Sequence, residues 1–361
     1  MQFRKIVVGV DFSDASLSAA RWVADRLGPN AELLLVHVVS LPRSPIYLHE
    51  QLAPTIDQRS TLAPRLYAAL SAFGELLGND RVRVGVRTGV AWSELARVAN
   101  QVKADLICVG RGNKRKGSSR FGATTPQRLL AVAGVPVLVI PQGVATKPNR
   151  VLAALSGRPG GERVLPVAEQ LASAWGASLE GIHVIEADVR RVLAASPRLL
   201  AAQQYFASTS SENERRIGID SLDEAKLREL ASGWLASTFA TAGPSVPYEG
   251  QVRIGDAGQE LITTVRDKPG PAVIVLGRVG ENLTGLPLQS QYRCGSTTRM
   301  VLWAAPCPVF VVPLERREAR VFAVETPDGM FDARLPTQFM DDRTPALGSV
   351  RGYSQNGNDA A

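Results

Sequence analysis

Short runs of apolar residues recur along the chain, and stretches with a helical pattern separate them. The first run, Ile6 to Val10, is continuous and rich in β-branched residues, which is typical of a strand buried on both faces of a parallel sheet. Ser13 or Asp14 then caps a helix to Arg26, where apolar residues recur every three or four positions. The alternation continues to Ile140, with strands predicted at 33–39, 82–87, 105–109 and 137–140 and helices at about 57–77, 92–102 and 125–132.

The second half repeats this order of elements. Strands are predicted at 151–155, 179–185, 253–255, 272–276 and 308–312, and helices at 162–175, 259–266 and 297–304. Individual residues also match: His37 with His183, Gly89 with Gly255, Glu94-Leu95 with Glu260-Leu261, Gly110 with Gly277, and Val135-Pro136-Val137 with Cys307-Pro308-Val309. So many ordered matches indicate a duplicated unit.

Strands that alternate with crossover helices predict a right-handed, doubly wound parallel sheet. We therefore expect two tandem five-stranded α/β domains, at 1–143 and 149–314, related by a pseudo-twofold axis. The second carries a helical insertion at about 188–242, and residues 315–361 form a tail with a short hairpin followed by disorder. The last strand of each domain has an apolar edge, which pairing of the two domains within one chain, or a homodimer, would cover.

Composition narrows the class of protein. The chain has 361 residues, of which 45% are hydrophobic, and neither an apolar run of membrane-spanning length nor a signal peptide is evident, so we expect a cytoplasmic protein without a membrane span. The chain has three cysteines, Cys108, Cys294 and Cys307. They cannot form a framework of paired disulfides, and their spacing is not that of a zinc site, which favours a reducing compartment. The net charge of +7 is modest and no basic run is interleaved with aromatics, so small phosphate ligands fit better than nucleic acid.

The candidate chemistry lies at the predicted carboxyl ends of strands, where ligands bind in open α/β sheets. Asp11 ends the first strand, and its carboxylate would accept hydrogen bonds from a ribose or an adenine amino group, or would serve only as a helix-entry cap. The backbone of Val38 would meet an adenine edge. His37 and His183 lie within apolar strands and are interpreted as core histidines rather than catalysts.

A glycine-rich loop follows the fourth predicted strand. It runs from Val109 through the basic stretch 114–120 to Thr125, at the start of a helix. Glycines let backbone N–H groups approach phosphate oxygens, and a helix N-terminus adds partial positive charge. The alternatives are a solvated basic loop and glycines that serve ordinary tight turns.

The residue order resembles the universal stress protein family over nearly all of both halves. The residues that carry the resemblance are Ile6 to Ser13, Val36-His37-Val38, Gly89 with Glu94-Leu95, Pro136 to Ile140, and Gly295 to Val309. The resemblance implies a Rossmann-like fold of the adenine-nucleotide α-hydrolase type. Members that bind ATP carry the pattern Gly-x2-Gly-x9-Gly-Ser/Thr.

Neither half matches that pattern completely. In the first half Gly110 takes the first glycine position, whereas Asn113 and Ala123 replace the other two, with Gly112 and Gly122 one residue away. The second half keeps Gly277, Gly280, Gly295 and Ser296 but has a longer loop, and Ser156 stands where the first half has Asp11. The resemblance implies a first site of Val10, Asp11, Val38, Val109, Gly110, Gly112, Asn113, Gly122, Thr124 and Thr125, and a second, weaker site of Gly277, Gly280, Gly295, Ser296 and Thr297.

Three functions are compatible with these observations. The first is a stress-response regulatory protein that binds ATP or a related adenine nucleotide, with or without Mg²⁺, and preferably in the first half. The second is a protein-interaction scaffold of the same family that binds no nucleotide. The third, an enzyme such as an ATP pyrophosphatase, calls for Ser-Gly-Gly-x-Asp-Ser where this chain has Asp11-Phe12-Ser13-Asp14. No catalytic motif is present, so we expect at most slow ATP hydrolysis.

Overall fold

The computed structural model describes residues 3–27, 30–39, 56–112, 124–157, 161–186, 224–278 and 295–313. In the first half the elements are β1 (Lys5–Gly9), α1 (Asp14–Arg26), β2 (Glu32–Val39), α2 (Ile56–Glu75), β3 (Val82–Thr88), α3 (Ala91–Gln101), β4 (Leu106–Arg111), α4 (Thr125–Val132) and β5 (Val137–Pro141). In the second half they are β6 (Arg150–Ala154), α5 (Val164–Trp175), β7 (Ser178–Glu186), α6 (Glu224–Ala242), β8 (Tyr248–Gly255), α7 (Ala257–Asp267), β9 (Ala272–Arg278), α8 (Ser296–Ala304) and β10 (Val309–Pro313).

Helix ends follow from short-range chemistry in the sequence. The hydroxyl of Ser13 accepts a hydrogen bond from the backbone N–H of Ser16 at 3.3 Å and so begins α1. Asp256 begins α7 in the same way, accepting from the N–H of Gln259 at 2.8 Å. Helix α5 ends at Gly176, whose φ of 63° lies in the left-handed region that glycine adopts without strain.

The ten strands form one sheet in the order β3-β2-β1-β4-β5-β10-β9-β6-β7-β8. Neighbouring strands within each half are parallel, as predicted, whereas β5 and β10 pair antiparallel with Leu138 opposite Phe310. We call this antiparallel pairing the seam. Read outward from the seam, the strand order is the same in both halves, which is the arrangement of an approximate twofold axis. The two expected five-stranded sheets are therefore halves of one continuous sheet.

Helices cover both faces of the sheet. On one face, α1, α2, α5 and α6 pack on alternate strand residues such as Ile6 and Val8 in a buried cluster that crosses the seam. On the other face, α3, α4, α7 and α8 pack on the remaining strand residues, among them Val7. Each half is thus doubly wound, and both cores are continuous through the seam.

Helix α6 revises our interpretation of the second half. The sequence predicts a helical insertion at about 188–242, but α6 lies between β7 and β8 and packs on those strands, as α2 does between β2 and β3. Its Phe239 is fully buried and closes on Gly181 of β7 so tightly that no Cβ would fit there. Residues 224–242 therefore belong to the repeat, whereas 187–223 and the tail from 314 lie outside the described residues.

The α1–α5 layer also joins the two halves. The rings of Trp22 and Trp175 meet edge to face with centroids 5.8 Å apart, and Trp175 Nε1 donates to the carbonyl of Arg26 at 3.1 Å. Trp22 Nε1 donates to the carbonyl of Thr146 at 3.3 Å, and Arg26 donates to that of Ala145 at 3.1 Å, so α1 also holds the segment between the halves. In the part of the chain that the structure describes, no helix is long and apolar enough to cross a membrane.

Candidate functional site

Asp11 lies at the carboxyl end of β1, in the turn that leads into α1. Its Oδ1 accepts hydrogen bonds from the backbone N–H of Ser13, at 3.0 Å, and from the Ser13 hydroxyl. Although exposed, the carboxylate loses part of its hydration in the turn, which by itself raises its pKa; hydrogen bonds from Ser13 and Ser16 outweigh this and hold the pKa below its usual value of 3.8. Both hydrogen bonds from Ser13 end on Oδ1, and the exposed carboxylate can accept a further bond from a hydroxyl or amino donor.

The two histidines hold the turns that follow β1 and β6. His37 Nδ1 donates to the carbonyl of Val10 at 2.8 Å, and His183 Nδ1 donates to the corresponding carbonyl of Leu155 at 2.9 Å. A carbonyl only accepts, so in each ring Nδ1 carries the proton. Burial lowers the pKa of His183, although the hydrogen bond to Leu155 opposes this shift. The lowered pKa keeps the ring neutral. Both rings thus hold backbone carbonyls in place, with His183 buried and His37 half-buried.

The predicted apolar wall of the first site lies along neighbouring strand ends. Val10 and Val109 are buried and Val38 is half-buried. The ends of β1, β2 and β4 beside Asp11 are therefore apolar and little exposed to solvent. The N–H of Gly89 donates to the carbonyl of Val39 at 2.9 Å, which brings the start of α3 to the end of β2. The structure therefore brings these four predicted residues to one edge of the sheet.

Gly110 has a structural role in this edge. A Cβ on Gly110 would overlap the Ala15 carbonyl and lie 2.7 Å from Ser16 N, so only glycine lets β4 approach the first turn of α1. A Cβ on Gly112 would meet only Ala15 Cβ, at 3.9 Å, which is an ordinary contact. Asn113 and Gly122, together with the basic stretch 114–120, lie outside the described residues.

Thr124 and Thr125 begin α4 on the same side of the molecule. Thr124 is the N-cap residue, and its N–H donates to Gln127 Oε1 at 3.0 Å. Both threonines are exposed, and the next residue, Pro126, contributes no N–H. The two threonine side chains therefore face solvent at the end of the predicted phosphate loop.

The candidate second site lacks several of these features. Ser156 follows β6 in place of an aspartate, and Gly161 lies so close to the Ser156 carbonyl that a Cβ would overlap it. Gly277 is half-buried near the end of β9, whereas Ser296 is exposed and Thr297 half-buried in the first turn of α8, where Gly295 is the N-cap residue. Gly280 lies outside the described residues.

Two arginines that no sequence motif singles out reach across the seam. Arg111 of β4 donates to the carbonyls of Leu302 and Ala305 at the end of α8. Arg278 of β9 reciprocally donates to the carbonyls of Leu130 and of Ala133, the latter at 3.0 Å, at the end of α4. We call these four hydrogen bonds the arginine clasp. Each arginine follows a matched glycine, Gly110 or Gly277, which is the signal by which the repeat could have revealed them.

Comparison with known proteins bears on the family. The model of the universal stress protein family matches the chain twice, at residues 2–141 and 148–313. The chain belongs to the universal stress protein family. The two matches fall on the two halves of the ten-stranded sheet, so the chain holds two universal stress protein units. A search of curated proteins found no match.

Two solved structures, one of a universal stress protein and one of a putative member, share this fold. One from Archaeoglobus fulgidus DSM 4304 has 16% sequence identity and a TM-score of 0.57, and the match covers 87% of this chain and all of that one. A putative universal stress protein from Pseudomonas aeruginosa UCBPP-PA14 also has 16% identity, with a TM-score of 0.50 and coverage of 86% and 93%. A universal stress protein in complex with cAMP has 22% identity, covers 40% of this chain and 100% of its own, and has a TM-score of 0.30.

Proposed function

We propose that this universal stress protein is a regulatory protein that binds ATP or a related adenine nucleotide in its first half. The observation that carries the proposal is Asp11. It is an exposed carboxylate, held ionised by hydrogen bonds from Ser13 and Ser16, at the carboxyl end of the central strand of a doubly wound half. That strand end is the place where this kind of sheet binds nucleotides.

The surrounding residues suit the two ends of such a ligand. The Asp11 carboxylate would accept from the ribose hydroxyls or the adenine amino group beside the apolar edge of Val10 and Val38. The hydroxyls of Thr124 and Thr125 would face the phosphates at the start of α4, whose dipole favours negative charge. In the described part of the chain no three metal-binding side chains cluster, so Mg²⁺ would bind through the phosphates.

The test is thermal unfolding with and without millimolar ATP and Mg²⁺. A ligand at a hundredfold excess over its Kd stabilises the folded state by about 2.7 kcal/mol, so a clear rise in Tm is expected. Asp11→Asn keeps the shape but removes the charge, and it should weaken binding by about tenfold or more. The matched control is Ser156→Ala, at the corresponding position of the second half, which should leave the rise unchanged. An unchanged wild-type Tm would reject the proposal.

A second candidate function is an interaction scaffold of the same family that binds no nucleotide. It is favoured by the structural roles of Gly110, which packs on α1, and Arg111, which belongs to the arginine clasp. On this reading the residues around the first glycine serve packing between elements rather than phosphates. The scaffold predicts a flat thermal response to ATP, ADP and cAMP alike, so the same measurement separates the two functions.

We also propose that the seam is the pairing of the two units in solution and that the chain is a monomer in the cytoplasm. The seam covers the apolar closing strands β5 and β10, which would otherwise be open to a second copy. The described cysteines, Cys108 and Cys307, are free and buried, which suits a reducing compartment. Light scattering after gel filtration should give the mass of one chain, and a dimer mass would contradict the proposal.

A further inference from the structure

Trp92 has a buried hydrogen-bond donor without a partner. Its Nε1 is inaccessible to solvent and makes no hydrogen bond, although the ring as a whole is half-buried. Trp22 and Trp175, by contrast, donate from Nε1 to backbone carbonyls at 3.3 and 3.1 Å. A buried polar group that lacks a partner destabilises the folded state, so such a donor calls for an explanation.

The position of Trp92 places it beside the candidate site. It is the second residue of α3, and Leu95, one turn later on the same helix face, lies against Gly9 of β1, where a Cβ would be 2.9 Å from Leu95 Cδ1. One turn advances a helix by about 5 Å, so Trp92 lies that much closer to the carboxyl ends of the strands, where Asp11 is. Trp92 also packs against the same buried cluster as Val38 at the end of β2.

The second half has no equivalent of this side chain. Counted from the matched glycines Gly89 and Gly255, the position of Trp92 corresponds to Gly258. A Cβ on Gly258 would lie 2.9 Å from Met300 Sδ, so a larger residue at that position would have to displace the Met300 side chain. The half that has Ser156 in place of Asp11 is thus also the half that lacks the indole. Both differences fall at the same edge of the sheet.

We propose that Trp92 is a ligand-binding residue of the first half, whose Nε1 donates to an acceptor on the nucleoside part of the bound nucleotide, a ring nitrogen of the base or a ribose oxygen. The inference rests on the proposed function. Helix α3 packs on β1, β2 and β4, and it begins at the edge of the sheet where the carboxyl ends of these strands lie. The proposed phosphate-binding residues Thr124 and Thr125 are at the start of α4, so the nucleoside falls to the part of this edge that holds Asp11, Val38 and Trp92.

The experiment follows the indole N–H resonances of the full chain labelled with ¹⁵N-tryptophan. The five tryptophans give five signals, and Trp92→Phe assigns that of Trp92 by its disappearance; Trp92→Tyr serves if the first variant does not fold. ATP and adenosine should both move the Trp92 signal, whereas inorganic triphosphate should not. The signals of Trp22 and Trp175, which already have acceptors, should stay in place and serve as internal controls.

Calorimetry supplies a second measurement. Trp92→Phe should weaken ATP binding about two- to tenfold, the loss expected for one neutral hydrogen bond, and the matched variant Trp303→Phe, at an exposed position of α8, should bind like the wild type. If ATP binds but leaves the Trp92 resonance and the affinity of Trp92→Phe unchanged, the inference is overturned and the proposed function stands. If ATP does not bind the wild type at all, both fail.

Discussion

The arginine clasp predicts that Arg111 and Arg278 each stabilise the whole molecule. We consider replacement by methionine, which keeps the aliphatic stem and removes the guanidinium. Each arginine makes two hydrogen bonds to helix-terminal carbonyls, and bonds from a charged donor are worth about 1.5–3 kcal/mol each before the cost of desolvating the guanidinium is counted. The partial negative charge of a helix C-terminus adds about 0.3–1 kcal/mol. With desolvation subtracted, we expect a loss of about 2–4 kcal/mol for each variant.

Equilibrium unfolding in urea, followed by circular dichroism, measures this loss. The control is Arg97→Met, which removes a half-buried ion pair with Glu94 within α3, away from the seam, and should cost less, about 1 kcal/mol. In the double variant Arg111→Met/Arg278→Met the two halves should also begin to unfold separately, so the urea dependence of each transition should be shallower than that of the wild type. If both single variants match Arg97→Met in stability, the clasp does not hold the halves together and the reasoning is wrong.

Two further predictions concern buried ionisable groups. Glu180 is buried, which by itself raises its pKa, but hydrogen bonds from Arg150 (2.8 Å) and Lys268 (3.1 Å) lower the pKa overall. The variant Glu180→Gln leaves Arg150 buried without its counter-charge. It should reduce the free energy of unfolding by about 3–5 kcal/mol at pH 7. Because the folded-state pKa is the lower one, this stability is fully present above the unfolded pKa of about 4.3 and is lost as pH falls through the folded value, so urea unfolding should show the gap between wild type and variant narrowing below pH 4. A gap that is constant from pH 7 to pH 3 would contradict the assignment. Burial also raises the pKa of the Cys108 thiol, and it raises that of Cys307 to about 12. Both thiols should therefore react with a thiol reagent only after unfolding. Rapid labelling of either cysteine in the native protein, located by peptide mass, would show that the cores open more readily than their packing implies.

Local signals in the sequence were sufficient for the elements. The run Ile6 to Val10 predicted a strand that the structure has at Lys5–Gly9, and the helix predicted at about 125–132 is α4. Such bounds depend on periodicity and capping within a few residues, which a single sequence displays. Matched pairs such as His37 and His183 carried the repeat, and both rings indeed make the same backbone hydrogen bond.

Contacts between distant residues were not predictable in this way. Arg111 stands between two glycines and was interpreted as part of a phosphate loop, but its partners are 191 and 194 residues away. The sequence suggests that Gly110 lets the backbone approach phosphates. In the structure a glycine is required there because a side chain would overlap the first turn of α1. The sequence pattern places α6 in an insertion because the segment before it is longer than the one before α2. The two helices are therefore not at matching distances from the preceding strand, and their equivalence is not evident from the sequence. In each case tertiary packing gives the residue a role that neighbours in the sequence do not reveal.

The seam also determines which strands lie at the outside of the sheet. The closing strands β5 and β10, buried along almost their whole length, are at the centre, and β3 and β8 are at the two ends of the described sheet. These end strands carry exposed charged residues, Arg83 on β3 and Glu249 on β8. Charges on an end strand oppose the addition of another strand, because a new neighbour would have to desolvate them. The duplication thus places the aggregation-prone strands where they protect each other and leaves the protein with two outer strands that resist polymerisation.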